Sequence, residues 1–240
     1  MRLLLTIYSI LPYAFCYKGA VMGKMTECDD AKTNLIIDWD PRDFTAFTCP
    51  NQYPFAVQRN VDPVVHDMVA KNKSYDPRHD EVFHKCMNEE LKYDEIIPIR
   101  GDHRPNWAKY GEYLYVPVQR WLHNLEHGSI ILLYHPCADQ RELHNLRELV
   151  TSCLYRHVIT PYNKLSQSRP FALVGWGARM EMNYVDEIGV VEFIKKFARR
   201  APEDISRNGL YDQYLIKPAA IVSDENDSEL CRGISFSKTL

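Results

Sequence analysis

The chain has 240 residues, enough to bury a sizeable hydrophobic core in one or two domains. Its formal net charge of −3 excludes the strongly basic footprint that nucleic-acid-binding proteins carry. With 45% hydrophobic residues, the composition is that of an ordinary globular protein.

Residues 1–20 are predicted to be a signal peptide rather than part of the fold. Arg2 precedes an apolar run over residues 3–11, and cleavage after Cys16 or Ala20 is expected. This run is too short to span a membrane comfortably, and no later run is long enough. We therefore expect a mature domain without a transmembrane segment, in a secreted, extracellular or secretory-lumen compartment.

The remaining cysteines predict disulfide bonds. Loss of Cys16 with the signal peptide leaves an even number, which suits an oxidising compartment. No C-x-x-C pair is present, so structural bonds are favoured over metal ligation. Proximity suggests a bond between Cys28 and Cys49, and the other pairings stay open. Cys137 and Cys153 flank a predicted helix that would hold them about 20 Å apart, too far for a bond. The six cysteines are Cys28, Cys49, Cys86, Cys137, Cys153 and Cys231.

Four polar residues are predicted to lie at the surface. Asn72 and Asn226 each begin an Asn-x-Ser sequon, which predicts N-glycosylation in a secreted chain. His144 and His157 are expected to be surface or interface histidines.

Residues 21–92 are predicted to be an irregular segment pinned by disulfide bonds. Residues 35–37, with the sequence Leu-Ile-Ile, indicate a short strand, and several prolines then interrupt regular structure. Helices are predicted around residues 64–71 and 80–91, with an exposed loop between them.

Residues 93–218 are predicted to form the core domain, an α+β fold with a mixed sheet and helices packed on it. Its first part, residues 93–117, is rich in Pro, Gly and aromatic residues and is expected to pack over the domain. Periodicity and capping residues predict the elements that follow. In chain order these are a helix that ends at Gly128, strand 129–135, a helix that starts at Asp139, strands 156–162 and 171–176 with a continuation over 178–182, and a helix from Asp186 that ends before Pro202. Residues 219–240 are predicted to be an acidic flexible tail, tethered by Cys231.

Two histidines in the first of these helices indicate a metal site. His123 and His127 are four residues apart and share one helical face, with Glu126 beside them. His103, in the aromatic loop, is expected to supply a third imidazole. Glu126 would be a fourth ligand, an orienting group or a general base. We predict a transition metal, zinc or copper, because both accept imidazole and carboxylate ligands.

Two alternatives stay open for the two helical histidines. In the first, they stabilise the C-terminus of the helix and hydrogen-bond to carbonyls and to Glu126, and Gly128 is the cap. In the second, the chain is a metal-dependent hydrolase with Glu126 as general base, since His-x-x-Glu-His is also the inverted zinc-protease motif. The protease reading needs a distal carboxylate, for which Glu187 and Glu192 are available. The helix break at Gly128 argues against it.

Four stretches of the chain resemble one protein family. They are residues 101–113 (GDHRPNWAKYGEY), 123–128 (HNLEHG), 134–137 (YHPC) and 169–177 (RPFALVGWG). These motifs resemble the domain-of-unknown-function 3105 family over roughly residues 93–200 and, within it, the animal branch named after p53-inducible protein 13. The resemblance implies an association with growth suppression, and it favours a metal site because His103 falls in register.

The resemblance also bears on localisation and partners. Members of the family can carry a membrane segment after this domain, so membrane association is the alternative localisation. This chain ends without such a segment, which favours the secreted or lumenal expectation. The expected partner is an unknown extracellular protein or a small ligand, and no nucleic acid.

Overall fold

A computed structural model describes residues 28–50, 53–234 and 236. The predicted signal peptide, residues 1–20, lies outside the described residues. The described part is an α+β fold in which helices pack on one mixed sheet and disulfide bonds join distant segments, which confirms the predicted fold class. No helix within this part of the chain is long and apolar enough to cross a bilayer.

The sheet contains seven strands, and four α-helices are found in the described chain. The strands are β1 (Val64–Asp67), β2 (Gly111–Tyr113), β3 (Ile130–Tyr134), β4 (His157–Pro161), β5 (Phe171–Gly175), β6 (Ala178–Met182) and β7 (Leu215–Pro218). The helices are α1 (Met68–Lys71), α2 (Val118–Glu126), α3 (Gln140–Cys153) and α4 (Glu187–Phe197), with short 3₁₀ helices at Leu35–Ile37, Phe44–Ala46 and Pro77–His79.

The strand order across the sheet is β1-β6-β5-β3-β4-β2-β7. β4 pairs in parallel with β3 and β2, and the other neighbours are antiparallel. β3 lies at the centre and is apolar throughout, because both of its faces are covered. Ile130 and Leu132 belong to the core that α3 and α4 cover. Ile131 and Leu133 belong to the opposite core, which contains α2 and therefore supports the candidate site.

The N-terminal segment differs from its predicted local structure. Residues 35–37 form a 3₁₀ helix rather than a strand, since Asn34 turns the chain with a φ of 56° immediately before them. Residues 64–71 are β1 followed by a single helical turn rather than one helix. β1 pairs antiparallel with β6, and this tertiary pairing outweighs the local helical pattern.

The helix predicted over residues 80–91 is also wrong. This stretch contains turns and one isolated parallel bridge, between His84 and His103. Backbone groups of Phe83 and Lys85 pair with His103 in the aromatic loop, so this part of the segment lies against the core domain.

The disulfide bonds join segments that are far apart in the sequence. The predicted bond between Cys28 and Cys49 is wrong, and the exclusion of a bond between Cys137 and Cys153 is confirmed. The start of the N-terminal segment packs onto the core, where Ala31 is fully buried. Cys28 therefore bonds to Cys86 at the far end of the same segment, and Cys49 bonds to Cys137 in the core domain. The bonds are Cys28–Cys86, Cys49–Cys137 and Cys153–Cys231.

The structure of the core domain differs from the sequence-based expectation in two places. Residues 171–176 do not continue straight into 178–182, because Gly177 reverses the chain with a φ of +72° and β5 pairs antiparallel with β6. His157 is buried in β4 rather than exposed, whereas His144 is exposed.

The described part of the acidic segment 219–240 contacts the core at several points. Cys231 bonds to Cys153, as the predicted tether requires. Asp227 is buried, and its carboxylate accepts hydrogen bonds from the backbone and the guanidinium of Arg156. The boundaries between the four parts of the chain stay a prediction.

Candidate metal centre

Helix α2 carries two of the predicted site residues into the interior. Every residue of the helix is buried, and its last turn ends at Glu126. Gly128 follows with a φ of +79°, a left-handed conformation that favours glycine and ends the helix. His123 and Glu126 are three residues apart, so they lie on the same helical face. This face points at the aromatic loop.

Two further histidines approach this face from outside the helix. His103 lies in the aromatic loop, and an isolated bridge joins it to His84. The N–H of Lys85 donates to the His103 carbonyl at 2.8 Å, which holds the two segments in register. The Cys28–Cys86 bond anchors the same stretch two residues beyond His84. Backbone pairing and a disulfide bond therefore position imidazoles that are far apart in the sequence.

Three imidazoles surround one carboxylate oxygen. The Oε2 atom of Glu126 lies 3.0 Å from Nε2 of His103 and 3.2 Å from Nε2 of His84. It lies 3.8 Å from Nε2 of His123. All four residues are buried, and their ligand atoms lie within 4.8 Å of one another. A group of this kind can hold a metal ion.

Backbone carbonyls orient two of the three rings. The Nδ1–H group of His103 donates to the Gly101 carbonyl at 2.8 Å. That of His123 donates to the Arg104 carbonyl at 2.6 Å. In the neutral imidazole, this arrangement leaves the lone pair on Nε2, which faces Glu126. Histidine ligands of metals are commonly fixed by such a hydrogen bond from the other ring nitrogen.

The electrostatics of the cluster suit a positive charge beside Glu126, carried either by a protonated imidazole or by a metal ion. Burial raises the pKa of Glu126, but the contacts with His103 and His84 lower it by a larger amount, so the net shift of this pKa is downward. Burial lowers the pKa of His123 well below its ordinary value. A charged carboxylate thus faces a neutral imidazole at neutral pH. Lone pairs that converge on a carboxylate repel it unless a proton or a metal ion lies between them.

His127 lies on the other side of His123, in an adjacent group. Its Nε2 atom is 3.2 Å from Nε2 of His123 and 3.1 Å from Oε2 of Glu203. Burial lowers the pKa of His127 against the opposing effects of Glu203 and Glu126. Trp107 packs against the His127 and His123 rings, with centroids 4.3 and 4.9 Å away. Glu126, His127 and Glu203 form a second group of potential ligands within 4.8 Å of one another.

The four residues predicted as ligands are therefore divided between two groups. His103, His123 and Glu126 come together as expected, whereas His127 belongs to the adjacent group. The sequence does not point to His84, since no spacing links it to the other ligands and its segment has a helical pattern. The alternative that the helical histidines bond to carbonyls and to Glu126 stays open, since the hydrogen bond from Nδ1–H of His123 to the Arg104 carbonyl suits that alternative as well as an oriented metal ligand.

The distal carboxylates required by an inverted zinc protease are not part of the cluster. Glu187 and Glu192 are exposed on α4, which packs against the opposite face of the sheet. Neither belongs to the two groups of potential ligands in the described chain.

Buried ion pairs tie the N-terminal segment to the loop and the helix that form the site. The guanidinium of Arg104 bonds to both carboxylate oxygens of Asp38 at 2.5–3.0 Å. Arg120, on α2, bonds to both oxygens of Asp29 at 2.6 and 3.0 Å. Both arginine side chains are fully buried. Loss of one partner from such a pair leaves a buried charge uncompensated, so this segment is integral to the site.

Taken together, the fold and the cluster define a disulfide-stabilised α+β domain with a buried His/Glu centre. The family described as a protein of unknown function, DUF3105, matches residues 84–209, which are more than half of the 240 residues. The chain belongs to this family. The matched region starts at His84 and contains every residue of both groups of potential ligands. No curated protein and no solved structure matches the chain.

Proposed function

We propose that this domain binds one transition metal ion tightly through His84, His103, His123 and Glu126. The observation that carries the proposal is the convergence of three Nε2 atoms on one carboxylate oxygen, with two of the rings oriented by backbone carbonyls. Ligands about 2.0–2.1 Å from a tetrahedral ion lie about 3.3 Å from one another. The measured separations from Glu126 Oε2, which are 3.0, 3.2 and 3.8 Å, are close to this value.

The donor set favours zinc or copper. Imidazole nitrogen with one carboxylate oxygen suits Zn²⁺ and Cu²⁺, whereas Mg²⁺ and Ca²⁺ prefer oxygen ligands. The described cysteines are all engaged in disulfide bonds, so they supply no thiolate for a softer ion. A divalent ion would neutralise Glu126 in an interior where an unpaired charge is costly.

A binding or regulatory role fits the site better than hydrolysis. Structural metal sites are closed, and catalytic ones keep a position open to substrate. His103 and His123 are completely buried, and Glu126 is only 6% exposed. Oε2 of Glu126 is already engaged with the imidazoles, so it acts as a ligand. The alternative of a hydrolase with Glu126 as general base would need that oxygen free to accept a proton from water.

The proposed compartment is extracellular or lumenal. Disulfide bonds persist in oxidising compartments, and Asn72 and Asn226 are both exposed and open to glycosylation. The motifs shared with the animal branch suggest that the domain acts on an extracellular protein or small ligand linked to growth suppression.

Metal analysis of protein purified from a secretory host without chelator tests the proposal. We expect about one tightly bound zinc or copper ion per chain, and its loss in His103→Ala. His144→Ala, which removes an exposed histidine from α3, is the matched control and should keep the ion. Wild-type protein that holds no stoichiometric metal, and gains no thermal stability from added zinc or copper, would contradict the proposal. Hydrolysis that needs metal and disappears in Glu126→Gln would favour the alternative.

A further inference from the structure

The group formed by Glu126, His127 and Glu203 has no role in the site proposed above, apart from the shared Glu126. Its ligand atoms lie within 4.8 Å of one another. The Nε2 atoms of His127 and His123 are 3.2 Å apart, so the two groups are contiguous. Any ion bound to the second group would therefore be an immediate neighbour of the first.

The backbone holds Glu203 in this position. Its N–H donates to the carbonyl of Glu126 at 3.0 Å, and the N–H of Arg199 donates to the carbonyl of Gly128 at 2.8 Å. Gly128 makes the approach possible, because a Cβ atom there would lie 2.7 Å from Cα of Arg199. Segment 199–203 is thus fastened across the C-terminus of α2, with the Glu203 carboxylate directed at His127.

The second group contains a buried carboxylate oxygen with a single close polar neighbour. Oε2 of Glu203 has no hydrogen bond of good geometry among the described residues. It lies 3.1 Å from Nε2 of His127, with which it forms an ion pair when that imidazole is protonated. A second carboxylate, that of Glu126, lies within 4.8 Å. Two carboxylates this close in a buried site repel each other unless a positive charge lies between them.

We propose that a second divalent cation binds to Glu126, His127 and Glu203, and that Glu126 bridges it to the first ion. This inference rests on the proposed function of the first group. Bridged metal ions in proteins are about 3.5–4 Å apart. The Nε2 atoms of His123 and His127, one from each group, lie 3.2 Å apart, so the two groups are close enough for such a pair. Three protein ligands leave a coordination position free at the second ion.

The net charge at the free coordination position indicates which class of ligand would bind there. Two divalent cations and two carboxylates sum to a charge of +2, so the centre attracts a hydroxide or another anionic oxygen ligand. Glu203 is 23% exposed at its side chain, whereas His103 and His123 are fully buried, so the second position lies on the solvent side. A small carboxylate or phosphate is the class of ligand that this charge favours.

Titration of chelator-treated protein with Zn²⁺ and Cu²⁺ tests the second position. Equilibrium dialysis should give two Zn²⁺ per chain, of which the second binds more weakly. With two equivalents of Cu²⁺, electron paramagnetic resonance should show dipolar coupling between the ions. Glu203→Gln should lower the stoichiometry from two to one and remove the coupling, while Glu225→Gln, an exposed acidic residue in the same C-terminal region, should change neither.

The outcomes separate this inference from the proposed function. One Zn²⁺ per wild-type chain that is lost in His84→Ala but unaffected by Glu203→Gln would overturn the second position and leave the first. No bound ion at all would overturn both. Two equivalents of Cu²⁺ without magnetic coupling in the wild type would also overturn the bridged pair, whatever the variants do.

Discussion

Replacement of His84 by alanine is the most discriminating test of the metal centre. The sequence predicts His103, His123, His127 and Glu126 as ligands, whereas the structure puts His84 in the place of His127. Nε2 of His84 is 3.2 Å from Oε2 of Glu126, so the substitution removes one of four ligands. We expect His84→Ala to abolish tight binding of the first ion and His127→Ala to preserve it.

The size of the effect follows from the role of this imidazole. Substitution of a residue that only orients a ligand commonly costs about 10–100-fold in metal affinity. Removal of a ligand should cost at least about 100-fold, which is about 2.7 kcal/mol at about 1.36 kcal/mol per tenfold change. A ligand that binds only the native state stabilises it by the corresponding amount. For a domain of this size, the loss is about 5–10 °C in Tm, at about 2–4 °C per kcal/mol.

The assay compares thermal unfolding of metal-loaded and chelator-treated protein for each variant. The truncation of the side chain affects both forms, so the difference in Tm between them isolates the contribution of the metal. His144→Ala, on the exposed face of α3, should retain the wild-type difference. If His84→Ala keeps the full metal-dependent gain in Tm while His127→Ala loses it, the assignment of the ligands is wrong.

Two further predictions concern stability. Burial lowers the pKa of His157, so its imidazole binds a proton less readily in the folded state than in the unfolded state. The contribution of neutral His157 to the free energy of unfolding is therefore fully present above about pH 6.5 and decreases as the pH falls below that value. In chelator-treated protein, His157→Asn should reduce this fall by up to about 1.4 kcal/mol per pH unit in urea titrations, and an unchanged slope would contradict the assignment. Gly128→Ala should cost about 2–4 kcal/mol, because it adds a clash with the Arg199 backbone to left-handed strain. Gly233→Ala has a similar φ with nothing within 4 Å, so it should cost only about 1 kcal/mol, and equal losses in the two variants would refute the close approach.

The structure also shows which parts of the fold could be read from local sequence. α2, β3, α3 and α4 lie where periodicity and caps place them, because each carries its own apolar pattern and its own start or stop signal. Asp139 accepts hydrogen bonds from the N–H groups of Arg141 and Glu142, as an N-cap should. β1 differs from the helix that its local pattern predicts, because its conformation is set by pairing with β6, more than a hundred residues away.

The residues of the candidate site also differ in whether the local sequence or only the fold places them. Spacing on one helix was enough to place His123 and Glu126 on a common face, since that relation depends only on the helical repeat. His84 and Glu203 reach the cluster through backbone pairing with His103 and Glu126, a contact that no short motif encodes. The positions of these two residues therefore had to come from the fold.

By itself, the sequence determined an α+β domain with disulfide bonds and a helix that presents an imidazole and a carboxylate on one face, because these features follow from composition and local periodicity. Only the tertiary structure decided which cysteines bond, that His84 rather than His127 joins the first group, and that Glu203 closes a second one. The physical reason is that a ligand set requires side-chain atoms a few ångströms apart, and for residues distant in sequence this separation depends on how the segments pack.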